Sequence, residues 1–247
     1  MTIRVGVLGA KGRMGATVCA AVTAASDCEL VVALDLGDDL NQLVANQAQV
    51  VVDFTTPDSV AKNLEFLAKN NIHAVVGTTG FDEKKLAVVA KQFAAGSANV
   101  VIAPNFGLAA ILMMKFAETA APYFDSVEIV EMHHPRKIDA PSGTAIRTAE
   151  LISKAREGMA AMPDATKDLV AGARGANVSG LPIHSIRLQG LVAHQEVVFG
   201  GPGESLTIRH DSYDRESFMP GVLLAIRKVS ESKGLTYGLE SLLGLDS

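Results

Sequence analysis

Residues 131–145 (EMHHPRKIDAPSGTA) carry side chains that could transfer protons and hold an anion within one short segment. Two adjacent histidines, His133 and His134, can exchange a proton near neutral pH, which suits them to general acid–base catalysis. Lys137 adds a positive charge a few positions later. Together these residue types indicate proton transfer to a small anionic substrate.

A strand and a helix are expected to position this segment. Residues 126–132 (SVEIVEM) have the apolar pattern of a strand. Ser142 stands where a helix N-cap belongs, ahead of the helical spacing of residues 144–154. Because Pro135 and Pro141 keep either element from continuing, the histidines should project from a stiff loop.

The start of the predicted helix is a candidate anion site. A helix N-terminus carries unpaired N–H groups and a partial positive charge, which favour a carboxylate or a phosphate. We expect the free N–H groups of Ser142, Gly143 and Thr144 to bind the substrate together with Lys137.

Two other interpretations of the histidines remain open. Adjacent histidines are often ordinary loop or core residues, and His133 and His134 could also bind zinc. However, successive side chains after a strand point to opposite sides, and the neighbouring sequence offers no cysteine or further histidine at ligand spacing. We therefore expect no metal.

Composition argues against several functional classes. A formal net charge of -5, without a basic stripe, argues against a nucleic-acid partner. The apolar run at residues 108–114 is too short to span a membrane, and residues 1–9 do not have the pattern of a signal peptide. Cys19 and Cys28 imply no disulfide framework. A cytoplasmic protein is expected.

The first half of the chain has the pattern of a dinucleotide-binding domain. A short apolar strand at residues 3–8 enters the motif G-x-x-G-x-x-G at residues 9–15, and residues 16–25 have helical composition. Such a turn lets the backbone approach a pyrophosphate at the helix N-terminus. A purely structural glycine turn would give the same motif, so both interpretations stay open on the motif alone.

Further strands alternate with helices along this half. They are expected at residues 29–34, 50–54, 73–76 and 99–103. This alternation predicts a parallel sheet, whose ligands bind beyond the carboxyl ends of the strands. We therefore predict an α/β fold that begins with a Rossmann domain.

The choice of cofactor depends on charges around the glycine turn. Asp35 follows the second strand, where it would accept hydrogen bonds from the adenosine ribose and repel a 2′-phosphate. Lys11 and Arg13 could neutralise that phosphate, although both could equally be solvated loop charges. We predict the use of both NADH and NADPH.

The second half has a different pattern. Its expected elements are a helix over residues 108–123, the strand and loop described above, an irregular excursion over 158–180, strands at 182–187, 191–200 and 205–209, and a closing helix over 214–231. These elements predict an α+β domain with a mixed open sheet. The predicted domains are 1–106 for the dinucleotide and 107–216 for the substrate, with a C-terminal helical segment, 217–247, returning to the first.

Over essentially its whole length, the chain resembles the dihydrodipicolinate reductases, also called 4-hydroxy-tetrahydrodipicolinate reductases, of lysine biosynthesis. The segment EMHHPRKIDAPSGTA is the most specific element. GTTG at residues 77–80 and APNF at 103–106 match nucleotide-domain motifs of the family. The resemblance implies NAD(P)H-dependent reduction of a small dicarboxylate, 4-hydroxy-tetrahydrodipicolinate, in the diaminopimelate route, by a homotetramer joined through the second domain's sheet.

The resemblance also implies roles for individual residues. His133 would be the proton donor, and Lys137 a second donor that holds a substrate carboxylate. His134, Gly143 and Thr144 would be the other substrate contacts. The implied cofactor contacts are Gly9, Ala10, Lys11, Gly12, Arg13, Met14, Asp35, Gly77, Thr78, Thr79, Ala103, Pro104, Asn105 and Phe106.

Two positions depart from the family pattern, and two rival functions remain. Gly107 stands where serine or alanine is usual, and the altered order around His194 leaves that residue without an assigned role. An aspartate-semialdehyde or homoserine type of dehydrogenase is one rival, but the semialdehyde type needs a cysteine in its second domain, and Cys19 and Cys28 lie in the first. A nucleotide-sensing module without catalysis would have no use for the His-His-Lys loop.

Overall fold

The computed structural model describes residues 2–245, which divide into two units. The first comprises the described residues up to Leu108 together with those from Arg215 onward, and the second comprises Ala109–Asp214. Residues 246 and 247, at the end of the predicted segment 217–247, lie outside the described residues. No helix formed by residues 2–245 is long and apolar enough to cross a membrane.

The described residues form eleven strands and seven α-helices. The strands are β1 (Ile3–Leu8), β2 (Cys28–Leu34), β3 (Val50–Asp53), β4 (His73–Val76), β5 (Val100–Ile102), β6 (Ser126–His133), β7 (Ala176–Val178), β8 (Leu181–Arg187), β9 (Ala193–Gly201), β10 (Glu204–Ser212) and β11 (Leu235–Tyr237). The helices are α1 (Arg13–Ala24), α2 (Asn41–Ala45), α3 (Pro57–Lys69), α4 (Glu83–Ala94), α5 (Leu108–Ala120), α6 (Gly143–Ala155) and α7 (Met219–Lys228).

A parallel sheet forms the first unit, with the strand order β11-β5-β4-β3-β1-β2. Every residue of β3 and β5 is buried, because side chains on both faces of a parallel sheet are covered. The five strands predicted for this half are present to within one residue at each end. The sixth, β11, is an addition, since its three residues are too few to give a strand pattern.

The C-terminal segment is less continuous than the predicted helix over 214–231. One-turn 3-10 helices, Arg215–Phe218 and Val229–Glu231, flank α7. Pro220 lies in the first turn of α7, where its missing N–H needs no partner and its fixed φ favours a helix start. The regular helix therefore begins at Met219 and not at residue 214.

A mixed sheet forms the second unit, with the strand order β10-β9-β6-β8-β7. β6 and β8 are parallel, with α6 in the connection between them, and the other neighbours are antiparallel. β7 lies inside the predicted irregular excursion, where Ser179 and Gly180 adopt positive φ and turn the chain back as a hairpin. The predicted fold class, a Rossmann domain followed by an α+β domain with a mixed sheet, is confirmed.

Candidate active site

β6 presents two polar side chains on the face of the sheet that carries the apolar core of the second unit. Val127, Ile129 and Glu131 are buried at alternate positions of β6. His133 is the next residue with the same orientation, because side chains of a strand alternate between faces. The apolar row therefore ends in a carboxylate and an imidazole.

The carboxylate of Glu131 is fully buried and is surrounded by polar partners. Its Oε2 lies 2.5 Å from Nδ1 of His133. Both of its oxygens accept hydrogen bonds of 2.9 Å from the guanidinium of Arg187, at the end of β8. Its Oε1 also accepts the backbone N–H of Ser142 at 3.3 Å. Because a bidentate arginine–carboxylate pair has a defined geometry, Arg187 holds in place the carboxylate that faces His133.

Burial and charge act in opposite directions on these groups. Burial lowers the pKa of His133 below its ordinary value, and the hydrogen bond to Glu131 offsets only part of that effect. Burial alone would raise the pKa of Glu131, but hydrogen bonds from Arg187, Ser185 and His133 outweigh it and place the pKa below its ordinary value. Glu131 is therefore an anion near neutral pH and accepts the hydrogen of Nδ1. This leaves Nε2 of His133 as the nitrogen for proton exchange.

Lys137 already holds a carboxylate. Its Nζ donates to both oxygens of Asp139 at 2.9 Å, and this pairing lowers the pKa of Asp139. The side chain of Lys137 is 22% exposed, whereas that of Asp139 is 59% exposed. The carboxylate bound by Lys137 is thus mostly exposed to solvent. The ammonium group could exchange it for the carboxylate of a ligand.

The N-terminus of α6 differs in one respect from its prediction. Ser142 is the N-cap, as predicted, because its Oγ accepts the N–H of Ala145 at 3.2 Å. The prediction that the N–H of Ser142 is free is wrong, since that group donates to Glu131. Gly143 is exposed, and a Cβ there would meet no described atom beyond its chain neighbours within 4 Å. Open space therefore lies beside the N–H groups of Gly143 and Thr144.

His134 contributes a buried ring nitrogen to the same loop. Its carbonyl accepts the backbone N–H of Lys137 at 3.1 Å. Its Nδ1 is buried and has no hydrogen-bond partner among the described residues. A buried polar atom without a partner is costly, so a ligand that donated a hydrogen bond to this nitrogen would remove that cost.

The glycine turn of the first unit requires glycine for steric reasons. Gly9 has a φ of +78°, and a Cβ there would lie 2.7 Å from the carbonyl oxygen of Phe54. A Cβ on Gly15 would lie 2.0 Å from the carbonyl oxygen of Gly9. At both positions the backbone of the turn packs directly against other backbone atoms. Because glycine has no side chain, the turn leaves the start of α1 uncovered. No described side chain caps α1 at Gly12.

The donors in this turn are divided between the protein and a possible ligand. The N–H groups of Ala10, Lys11 and Gly12 donate to Leu34, Asp35 and Gly9 respectively. The N–H groups of Arg13 and Met14 lie in the first turn of α1, where a helix has no internal acceptor for them. Residues 9–14 therefore fit a pyrophosphate through two backbone donors and the partial positive charge of α1.

Asp35 joins the end of β2 to the glycine turn. Its carboxylate accepts the backbone N–H of Leu36 at 2.8 Å and that of Lys11 at 2.7 Å, and these two bonds lower its pKa. Each carboxylate oxygen has a second lone pair, so ribose hydroxyls could still donate to it. The side chain thus remains suited to the predicted adenosine contact.

The other two cofactor motifs follow β4 and β5 at the same edge of the sheet. The hydroxyl of Thr78 lies 3.3 Å from the carboxylate of Asp53, which is fully buried. The side chain of Thr78 therefore forms its hydrogen bond with the interior of the protein. Thr79 faces a cavity of about 250 Å³ between α3 and α4. Gly77 is required because a Cβ there would lie 2.1 Å from the ring of Phe54.

The segment after β5 is held mainly by packing. Ala103 and Phe106 are buried, and the ring of Phe106 lies 5.7 Å from that of Phe54. The side chain of Asn105 accepts the N–H of Gly107 at 2.8 Å. Backbone atoms, exposed Pro104 and the side-chain amide nitrogen of Asn105 are therefore what this segment can offer a cofactor. The predicted cofactor residues belong to the first unit, and the predicted substrate residues to the second.

Family comparison accounts for both units. The profile described as dihydrodipicolinate reductase, N-terminus, matches residues 3–106, and the profile described as dihydrodipicolinate reductase, C-terminus, matches residues 109–243. The chain belongs to the dihydrodipicolinate reductase family. This membership confirms the resemblance found in the sequence and makes the chain a member of an oxidoreductase family.

Individual relatives match over their full length. The 4-hydroxy-tetrahydrodipicolinate reductase of Mycolicibacterium gilvum is 60% identical over 98% of this chain and 100% of its own. The protein of that name from Corynebacterium diphtheriae is 57% identical over 99% of this chain and 100% of its own. A dihydrodipicolinate reductase from Paenisporosarcina sp. TG-14, solved with dipicolinate bound, is 42% identical with a TM-score of 0.89 and covers 98% of this chain and 99% of its own.

Sequence reasoning missed three charged residues of these networks. Glu131 lies in the quoted family segment, and Asp53 and Arg187 lie in predicted strands, but none of the three received a role. A signal for Glu131 was present, because it continues the buried row of Val127 and Ile129. A charge at a buried position of a strand needs a partner, and such a partner is usually distant in sequence.

Proposed function

We propose that this chain reduces 4-hydroxy-tetrahydrodipicolinate to tetrahydrodipicolinate with NADH or NADPH, in the diaminopimelate route to L-lysine. One observation carries the proposal. The loop after β6 joins an anchored histidine, a lysine and the helix N–H donors of Gly143 and Thr144, in a chain 55–60% identical to proteins named for this reaction.

The residues of the second unit supply the proton and the orientation. The substrate is a cyclic dicarboxylate, and a bound reduced nicotinamide supplies hydride. His133 gives the proton of Nε2 to the ring of the substrate. Lys137 and the N–H groups of Gly143 and Thr144 hold the carboxylates through charge-assisted hydrogen bonds. Lys137 is a second proton donor, and His134 completes the contacts through its ring. Ser142 acts through the cap that shapes the helix N-terminus.

The residues of the first unit hold the dinucleotide. We assign the pyrophosphate to the turn at residues 9–14, with Arg13 and Met14 as donors, and the adenosine ribose to Asp35. The nicotinamide end is assigned to Gly77, Thr78, Thr79, Ala103, Pro104, Asn105 and Phe106. The Rossmann architecture supports a nicotinamide cofactor. Use of both forms is our proposal, because Lys11 stands beside Asp35 and can neutralise a 2′-phosphate.

Replacement of Lys11 tests dual use of the cofactors. Lys11→Ala removes the side-chain charge and keeps the backbone bond to Asp35, so it should raise the Kd of NADPH more than that of NADH. Lys69→Ala, on the surface of α3, is the matched control. An equal loss for both cofactors would remove Lys11 from the 2′-phosphate site.

We also propose a cytoplasmic homotetramer joined through the mixed sheet. The face of that sheet opposite the core carries partly exposed Val130, Met132, Ile186 and Val198, an apolar group that a second copy could cover. Ile186→Asp should then reduce the mass measured by light scattering, whereas Leu169→Asp, at a side chain that is already 98% exposed, should not. A monomeric wild-type protein would refute the assembly.

A coupled assay tests the reaction itself. Aspartate semialdehyde and pyruvate, condensed by a synthase, generate the substrate in place, and oxidation of NADH or NADPH is followed by absorbance. Consumption that depends on this protein supports the reductase. Binding of the cofactor without consumption would favour the nucleotide-sensing module instead.

A further inference from the structure

The ion pair between buried Glu131 and partly exposed Arg187 has no role in the proposed function as given so far. The carboxylate of Glu131 has no exposed surface, and it is held by hydrogen bonds with His133, Ser142 and Arg187. We propose that Glu131, held by Arg187, is the positioning residue of the proton donor, fixing His133 with Nδ1 toward the protein and Nε2 toward the substrate. This inference rests on the proposed function, in which His133 is the acid.

The position of the charge argues against a role in stability alone. Val127 and Ile129 fill the preceding inward positions of β6 with apolar side chains, and the charge enters this row only beside His133. A buried ion pair seldom stabilises a fold more than apolar residues of the same size would. Its geometry, however, can orient a third group, and the third group here is the imidazole.

Arg187 connects the pair to the rest of the loop. It lies opposite His133 in the parallel register of β6 and β8. Besides its two bonds to Glu131, its guanidinium donates to the carbonyl of Asp139 at 2.7 Å. One arginine therefore fixes both the carboxylate behind His133 and the backbone of the residue that binds Lys137.

The proton balance is simple in this arrangement. Protonated His133 gives the hydrogen of Nε2 to the substrate and becomes neutral, while Nδ1 keeps its hydrogen and its bond to Glu131. His133 then takes a proton from water to complete the cycle. Glu131 and Arg187 remain ionised throughout and exchange no proton.

The same strand offers a matched control. Glu128 accepts from His184 at 2.7 Å and from Arg174, so it has the same types of partner as Glu131. It lies on the opposite face of β6, because the two residues are separated by an odd number of positions. Glu128→Gln therefore removes a comparable charge without touching His133.

The experiment compares Glu131→Gln with Glu128→Gln. In the coupled assay, E131Q should lower kcat about 10- to 100-fold, the range found when a residue that orients a metal-bound histidine is lost. Its KM should stay within about threefold of wild type, because the carboxylate does not touch substrate. The alkaline fall of kcat should move to lower pH, since the imidazolium loses its anionic neighbour. E128Q, with its assembly verified as wild type by light scattering, should change neither kcat nor the pH profile.

A double variant separates positioning from damage to the fold. If Glu131 acts only through His133, E131Q should cause no further loss in a His133→Ala background. A wild-type pH profile in E131Q, or a further loss in the double variant, would overturn the inference. If E131Q does not fold, Arg187→Lys replaces it, because lysine keeps the charge but cannot form the bidentate pair. R187K should show a loss of kcat of the same order but a smaller pH shift, because Glu131 remains an anion beside His133.

A spectroscopic readout keeps this test independent of the reaction. At a pH above the pKa of His133, where the ring is neutral, ring ¹⁵N shifts should show protonation at Nδ1 in the wild type, a changed tautomer in E131Q and no change in E128Q. The wild-type tautomer in E131Q refutes positioning. Normal turnover in H133A would instead refute the proposed acid, whatever the tautomer, so the two failures are distinct.

Discussion

The Nζ atom of Lys137 lies 2.9 Å from each carboxylate oxygen of Asp139. The ammonium that we propose to bind a substrate carboxylate is thus occupied by a carboxylate of its own loop. Because Asp139 is more than half exposed, this pair is weak, and a ligand can displace it. If Lys137 binds substrate as proposed, Asp139 competes with the substrate for it.

Asp139→Asn should therefore improve substrate binding. Removing a competing surface ion pair worth about 0.2–1 kcal/mol corresponds to a decrease in KM of about 1.5- to fivefold, with kcat little changed. Steady-state kinetics at low salt measures it. Glu65→Gln, which removes a surface carboxylate from Lys69 on α3, is the control and should leave KM unchanged. A higher KM in D139N would mean that Asp139 holds Lys137 in its working position.

His133→Ala should remove the general acid. We expect kcat to fall by about 10²- to 10⁴-fold with little change in KM, because the imidazole acts mainly in the transition state. His184→Ala is the matched control, since His184 also bonds a glutamate of β6 but faces away from the loop. Turnover at the wild-type rate in H133A would exclude it as the acid.

Lys137→Ala should affect both kinetic constants. Loss of the ammonium removes a charge-assisted bond to the substrate, which raises KM, and a second proton donor, which lowers kcat. Steady-state kinetics should show a decrease in kcat/KM of at least about tenfold, the effect of losing one such bond of 1.5–3 kcal/mol. Lys154→Ala, in the last turn of α6, should have no effect. An unchanged kcat/KM in K137A would remove Lys137 from the site.

Gly15→Ala should destabilise the first unit despite its place in a helix. Alanine is ordinarily favoured over glycine in α-helices by about 1 kcal/mol. Here its Cβ would lie 2.0 Å from the backbone oxygen of Gly9, so we expect a net loss of about 1–3 kcal/mol and weaker cofactor binding. Urea unfolding and NADH titration measure the two effects. Ala20→Gly, at an exposed site of α1, should lower stability without changing the Kd of NADH.

The stability of the first unit should fall in mild acid through His73. Its Nδ1 accepts the N–H of Asn99 at 2.9 Å, and burial lowers the pKa of His73 below 6.5. The unfolded chain then binds a proton more readily than the folded chain. The contribution of His73 is complete above pH 6.5 and is lost as the pH falls through the window between that value and the lower folded pKa.

His73→Gln tests this pH dependence. Glutamine can still accept a hydrogen bond but does not titrate. Urea unfolding at pH 7.5 and pH 5.5 should show a smaller decrease in the free energy of unfolding for H73Q than for the wild type. Equal decreases in the two proteins would exclude His73 as a source of the pH dependence.

Local patterns in the sequence were sufficient for the elements of the site. The Val-rich strands of the first half, the alternation along β6 and the N-cap at Ser142 could be predicted because each depends on residues near to one another in the chain. The glycine motif could be placed for the same reason, since the turn and the start of α1 are contiguous. The short strands β7 and β11 could not, because three residues carry too little periodicity.

Only the tertiary structure decided which groups are bonded to one another. Glu131 and Arg187 are 56 positions apart, and they meet because β6 and β8 pair in parallel. The same carboxylate takes the N–H of Ser142, which the local pattern left free. Helix and strand patterns specify the direction of each side chain from its own backbone. The partner of a buried charge is instead set by the order of strands in the sheet, which brings residues distant in sequence within hydrogen-bond distance.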